Sequence, residues 1–174
     1  MQKVFLTSIV LISLFITPFQ SEAGWLFHAT KRAAANRIYA QGFSHRMNPA
    51  ARFGKGLYFS KSPVTALREK PGANAIVKSG ESKMLMKNTI NTKKMSTAEL
   101  KKFTGDKDLR GKIHHGIIGP KLGHEIGNKA GASGKAVQYQ SARDPLGSNT
   151  FVPAQVYQKH PGIVHPEKVI SYGR

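Results

Sequence analysis

Hydrophobic and polar positions along the chain predict short strands separated by a few helices. Residues 25–30 (WLFHAT) are apolar and aromatic and predict a buried strand. Residues 31–41 (KRAAANRIYAQ) carry three alanines and predict a helix stopped by Gly42. Residues 42–56, rich in Gly, Asn, Pro and cations, predict a loop, and GLYFS (56–60) a second strand. Ser62 as N-cap and Pro63 at the first helical position start a second helix that runs through VTALRE to Pro71-Gly72. KMLMKNTI (83–90) predicts a strand, and Ser96 with Glu99 forms a capping box for the helix TAELKKF. The glycine- and cation-rich stretch 104–134 has no assigned order beyond a short strand or turn at HHGIIG. KAVQYQS (135–141) alternates as a half-buried strand and ARDPLGSN is a turn. TFVPAQVY (150–157) predicts a further strand, with Pro153 marking an edge or a bulge, and HPEKVISYG a last one. The chain shows no repeat and no low-complexity segment. Its predicted class is α+β.

The first 23 residues have a different layout. MQK gives a positive start, VFLTSIVLISLF is a 12-residue stretch dominated by apolar side chains, and Ser21 and Ala23 stand at −3 and −1 of a small-residue cleavage site. The stretch is short for a membrane span, which needs about 20 apolar residues. The expectation is a cleaved secretory signal peptide over 1–23 and a single exported domain over 24–174, periplasmic or extracellular, with no transmembrane span. A domain of this length buries about 70% of its unfolded surface and folds without disulfides.

Composition narrows the chemistry. The 174 residues contain no cysteine, which excludes a disulfide framework, a thiolate metal site and a cysteine nucleophile. Lys and Arg number 27 against 9 Asp and Glu, a net charge of +18 that suits polyanions or an anionic small substrate as well as a solvated surface. Carboxylate chemistry after residue 23 must come from Glu69, Glu81, Glu99, Asp106, Asp108, Glu125, Asp144 or Glu167. None of these shows metal-loop spacing, and His124-Glu125 lacks the second histidine of a zinc-protease helix, so no metal site is expected.

Three segments suit an anionic dinucleotide: FHAT, RFGKGLYFSKSPVTALRE (52–69) and VQYQSARDPLGSN (137–149). His28 and Thr30 at a strand end can bond ribose hydroxyls. Gly54 and Gly56 let backbone approach a ligand closely. Arg52 and Lys55 can face a pyrophosphate. Tyr58 offers a ring on which a nicotinamide can stack, and Glu69 a carboxylate to stabilise an oxocarbenium-like ribose. Each also has a plain structural reading. His28 and Tyr58 could be core residues, Glu69 part of a solvated helix face, and Ser141 a turn residue. Arg143 and Asp144 read as a surface ion pair of little energetic weight.

FHAT, a helix, then GF and FGKGLYFSKS resemble the NAD-binding core of poly(ADP-ribose) polymerase-like ADP-ribosyltransferases, with His28, Thr30 and Tyr58 on the family's NAD-holding positions. That resemblance puts Asn149 or Thr150 where the family carries a late catalytic glutamate. ARFGKGLYFSKSPVTALRE and VQYQSARDPLGSNTFV are also similar to RES-domain proteins, which degrade NAD and share the fold. On that likeness the functional set is Arg52 (with Arg46 as a rival), Tyr58, Glu69 and Ser141. The two resemblances together cover about residues 25–70 and 135–157. They imply an ADP-ribosyltransferase-like split β-sandwich with a few short helices. The implied activity is that of an exported toxin or effector using NAD as substrate, cleaving the nicotinamide–ribose bond by transfer, hydrolysis or phosphorolysis. The partners implied are an acceptor, protein or nucleic acid, and an immunity protein. Two other classes fit the charge. One is a secreted basic ribonuclease using His28 and His114 with Glu69 or Glu125; the other is a non-enzymatic cationic binder.

Overall fold

A computed structural model describes residues 24–44 and 49–172. The expected signal peptide and Arg46 lie outside those residues. Strand β1 (Trp25–Thr30) leads into helix α1 (Arg32–Gln41), and β2 (Gly56–Ser60) into α2 (Pro63–Glu69). All four have the bounds their sequence patterns predict to within a residue. Ser62 caps α2 as expected, its hydroxyl accepting the Thr65 N–H with Pro63 in the first turn.

The next segment departs from expectation. β3 (Ala75–Glu81) forms where no element was predicted. Its Ala75, Ile76 and Val77 are buried in succession, so the alternation that marks a half-exposed strand is missing. Residues 83–90 are not one strand. Ser82 accepts the Leu85 N–H and starts helix α3 (Lys83–Lys87), leaving only β4 (Thr89–Asn91) extended. Lys, Met and Leu favour a helix once a cap is present, and only Leu85 of α3 is buried.

α4 (Thr97–Thr104) carries both arms of the Ser96–Glu99 capping box. HHGIIG becomes a hairpin of β5 (Ile113–His114) and β6 (Ile117–Ile118), turned by His115 and Gly116 at φ 47° and 77°. α5 (Pro120–Ala132) follows, then β7 (Ala136–Gln140) and β8 (Ser148–Pro153). The strand expected over 150–157 stops at Pro153, and α6 (Ala154–Lys159) takes over. β8 lies inside the sheet, so Pro153 marks neither an edge nor a bulge. It stands at the strand's last residue, where a missing N–H removes no ladder bond beyond it. A 3₁₀ turn (Pro161–Ile163) leads to β9 (Val164–Ser171).

The strands form one mixed sheet in the order β4-β7-β8-β2-β1-β3-β9, antiparallel except for the β4–β7 pair. β2 pairs with β8 from Gly56↔Pro153 to Ser60↔Asn149, and β1 with β3 from Trp25↔Gly80 to Thr30↔Ala75. β1 and β2 share a single bridge, Phe27↔Ser60. The sheet is thus two continuous ladders that diverge between β1 and β2. One core gathers Leu26, Phe43, Phe59, Val77 and Val152; the other gathers Phe53, Leu122, Ile126, Val137 and Phe151 against α5. No helix among the described residues is long and apolar enough to cross a membrane.

Candidate functional site

Where β1 and β2 part, a cleft of about 630 Å³ opens between them, bounded by α1 and the end of α2. His28, Thr30, Gly56, Tyr58, Glu69 and Asn149 all line it, so six of the sequence-predicted residues come together from three separate segments. This size suits a small-molecule site.

Glu69, the last residue of α2, is the most elaborately held group in the cleft. Its Oε1 accepts from the Ser141 hydroxyl at 2.5 Å, the Asn149 amide at 2.9 Å and the Ala142 N–H at 3.1 Å. All three bonds fall on one oxygen, so Oε2 has no hydrogen-bond partner among the described residues. The Asn149 amide is oriented in turn by Ser60, whose hydroxyl donates to Asn149 Oδ1 at 2.6 Å. The Ser141 oxygen also accepts the N–H groups of Arg143 and Asp144 at 3.2 and 2.9 Å. Ser141 therefore does two jobs, organising its turn and fixing Glu69, from behind the cleft rather than in it.

The expected Arg143–Asp144 surface pair does not form. Asp144 is buried and accepts from Thr65 at 2.6 Å and from Arg68 at 2.8 Å, which ties α2 to the 141–147 turn. Its carboxyl is held below the usual range, first by the Thr65 hydrogen bond and then, against the cost of burial, by the Arg68 charge. Glu69 forms no ion pair among the described residues; its hydrogen bonds go to Ser141, Ala142 and Asn149 and not to a solvated helix face.

His28 closes the gap on the β1 side. Its Nδ1 lies 2.9 Å from the Tyr58 carbonyl. A carbonyl can only accept, so Nδ1 carries the proton and Nε2 is left as a bare acceptor. The ring meets Phe43 and Phe59 edge-on at 5.7 and 6.0 Å. Burial lowers its pKa, outweighing the opposing backbone hydrogen bond, and the Lys70 charge lowers it further; the imidazole is neutral at pH 7.

Tyr58 lines the cleft, but its hydroxyl faces structural partners. It accepts the Phe53 N–H at 2.9 Å and donates to the Gly54 carbonyl at 2.8 Å. Burial raises its pKa well above the ordinary phenol value, so it stays protonated.

In the loop that Tyr58 braces, two of the residues expected to face a ligand lie outside the cleft lining. Gly54 has φ +85° and turns the chain there; it does not line the cleft. Gly56 lines the cleft, and a Cβ there would fall on the Phe151 ring and the Val152 carbonyl of β8. Arg52, like Gly54, does not line the cleft: its guanidinium lies 6.0 Å from the centre of the Tyr139 ring.

Helix α5 supports this loop from outside. Gly119, Gly123, Gly127 and Gly131 recur every four residues and so share one face. A Cβ at Gly123 would strike the Arg52 carbonyl, and one at Gly127 the Phe53 carbonyl. His124 adds a bond to the Ala51 carbonyl at 2.7 Å.

Sequence reasoning missed Ser60, Tyr139, Arg37 and Lys70, all of which line the cleft. Ser60 stands two residues after Tyr58 on the same strand face, and Tyr139 two before Ser141; period-two alternation could have found both. Asn149 lies in the cleft, whereas Thr150 is buried with its hydroxyl unpartnered. His114 sits on the separate β5–β6 hairpin, exposed and outside the cleft that holds His28. No group of three or more metal-ligating side chains is clustered among the described residues. Comparison with protein-family models, curated proteins and solved structures finds no match.

Proposed function

We propose that the protein is an NAD-consuming enzyme of ADP-ribosyltransferase-like, split β-sandwich type, with Glu69 as its catalytic carboxylate. One observation carries this reading: a carboxylate pinned at one oxygen by three donors, with its other oxygen unpartnered, in a cleft beside a neutral histidine acceptor and an aromatic ring.

The chemistry follows from those groups. The ribose C1′–N bond breaks and its electron pair leaves with nicotinamide, which departs neutral. Positive charge grows on C1′ and the ring oxygen, and Glu69 Oε2 stabilises it without having to reorganise, because Oε1 is already held. His28 Nε2 accepts a ribose hydroxyl, Thr30 assists, and the Tyr58 ring stacks on the nicotinamide. Ser141 and Asn149 act through Glu69 as positioning residues. An acceptor oxygen or nitrogen then bonds to C1′ and gives up a proton. With water the products are ADP-ribose, nicotinamide and one proton. The signal-like leader fits an exported toxin or effector that meets NAD in a target cell and modifies a protein or nucleic acid there, with an immunity protein protecting the producer.

The test is release of nicotinamide from NAD by the purified protein, with and without phosphate and cell lysate. Glu69→Gln keeps the shape and removes the charge, and a fall of about 10²-fold or more is expected. Equal release by the two proteins, or none by wild type under any condition, would sink the reading. Cleavage of RNA without NAD would favour the ribonuclease instead.

A further inference from the structure

The cleft has an anion problem. NAD carries a diphosphate between its two ribose units, and His28, being neutral, offers that group no charge. Arg52, the cation the sequence pattern suggests for it, is not among the residues that line the cleft; its guanidinium lies 6.0 Å from the centre of the Tyr139 ring. Two described cations do line the cleft: Arg37 on α1 and Lys70 at the C-terminal cap of α2. Both are exposed, and neither side chain has a hydrogen bond or ion pair among the described residues. Residues 31–41 contain no acid that could neutralise Arg37. Glu69 is the cleft's one described carboxylate, and its bound oxygen faces Ser141, Ala142 and Asn149. The cleft therefore holds a carboxylate and a cation side by side at the end of α2, Glu69 and Lys70, and a second cation, Arg37, on α1.

Resting on the NAD reading above, we infer that Arg37 and Lys70, and not Arg52, hold the diphosphate of the dinucleotide. The planar guanidinium of Arg37 suits two phosphate oxygens at once, and Lys70 supplies a point charge from the end of α2. The nicotinamide end then lies toward Glu69 and the adenosine end toward α1.

The test is calorimetric titration of the full chain with ADP-ribose, which contains the diphosphate, and with nicotinamide riboside, which contains none. Arg37→Ala and Lys70→Ala should each weaken ADP-ribose roughly tenfold or more. The loss should shrink as salt is raised, and binding of the riboside should be unchanged. Arg52→Ala should leave both affinities as they were. Both key side chains are exposed, so unchanged melting temperatures would verify that the variants fold. If wild type binds ADP-ribose and the Arg37→Ala/Lys70→Ala double variant binds it equally well, the inference falls while the NAD reading stands. Weakening by Arg52→Ala alone has the same meaning. If wild type binds neither compound, both fall.

Discussion

Two supports hold the cleft in shape, and they are made of opposite materials. Glu69 is fixed by side chains that donate hydrogen bonds to it across more than 70 residues of sequence, reinforced by the Asp144–Thr65–Arg68 link. The 51–56 loop is fixed by side chains that are missing: the glycine face of α5 lets helix and loop meet backbone to backbone. The first support adjusts, because a lost hydroxyl leaves room for water or a neighbour. The second does not, because a carbonyl oxygen cannot yield to an added methyl without moving its whole loop. Intolerance of substitution is thus concentrated under Tyr58, and tolerance of it around Glu69.

Gly127→Ala breaks the comparison most directly. It should cost about 3 kcal/mol, at the upper end for an overpacked contact, because the clash is with backbone. Gly134, at φ +67° with open space at its Cβ, is the control: Gly134→Ala meets only backbone strain of about 1 kcal/mol. Chemical denaturation of both would show whether helix contact or glycine conformation matters. An equal loss would remove the distinction between the two supports.

On the polar side, Asp144→Ala removes a buried acceptor from Thr65 and Arg68 and should cost about 2 kcal/mol. It should also lower turnover through Glu69 while leaving the affinity for NAD nearly unchanged. A variant as stable as wild type would show that the Ser141 turn holds without this link.

The smallest effect concerns pH. In the unfolded chain His28 titrates near 6.5, and in the fold its pKa is lower. Between those two values the unfolded state binds a proton that the folded state does not, so stability falls as pH drops below about 6.5. Denaturation midpoints at pH 7.5 and 5 should differ more for wild type than for His28→Asn. The same slope in both proteins would mean that the imidazole is not shielded from water.

The contrast also governs what could be read from the sequence. β1, α1, β2 and α2 were legible because local signals agree there: a strand ending in a polar pair, a run of alanines, a Ser-Pro start. The segments carrying His28, Tyr58, Glu69 and Asn149 were legible as candidate chemistry for the same reason. β3 was not, because a strand buried on both faces has no alternation to detect. α5 was hidden by the residues that make it work. Glycine argues locally against a helix, and only the packing against Arg52 and Phe53 makes it the fitting residue. The place of Arg52 beside the Tyr139 ring, outside the cleft lining, was not legible, because a cation next to a glycine loop looks ligand-facing wherever its side chain packs.

The sheet's two ends have a consequence for life in a crowded solution. β4, one border, is three residues long, too short to recruit another chain. β9, the other, is eight residues long, but Pro166 has no N–H to offer and the register slips between Lys78 and Ser79 opposite it. His165, Glu167 and Lys168 add ionisable groups along its length. Neither border presents a long, flat, apolar template, so copies of this basic chain are guarded against stacking into fibrous aggregates.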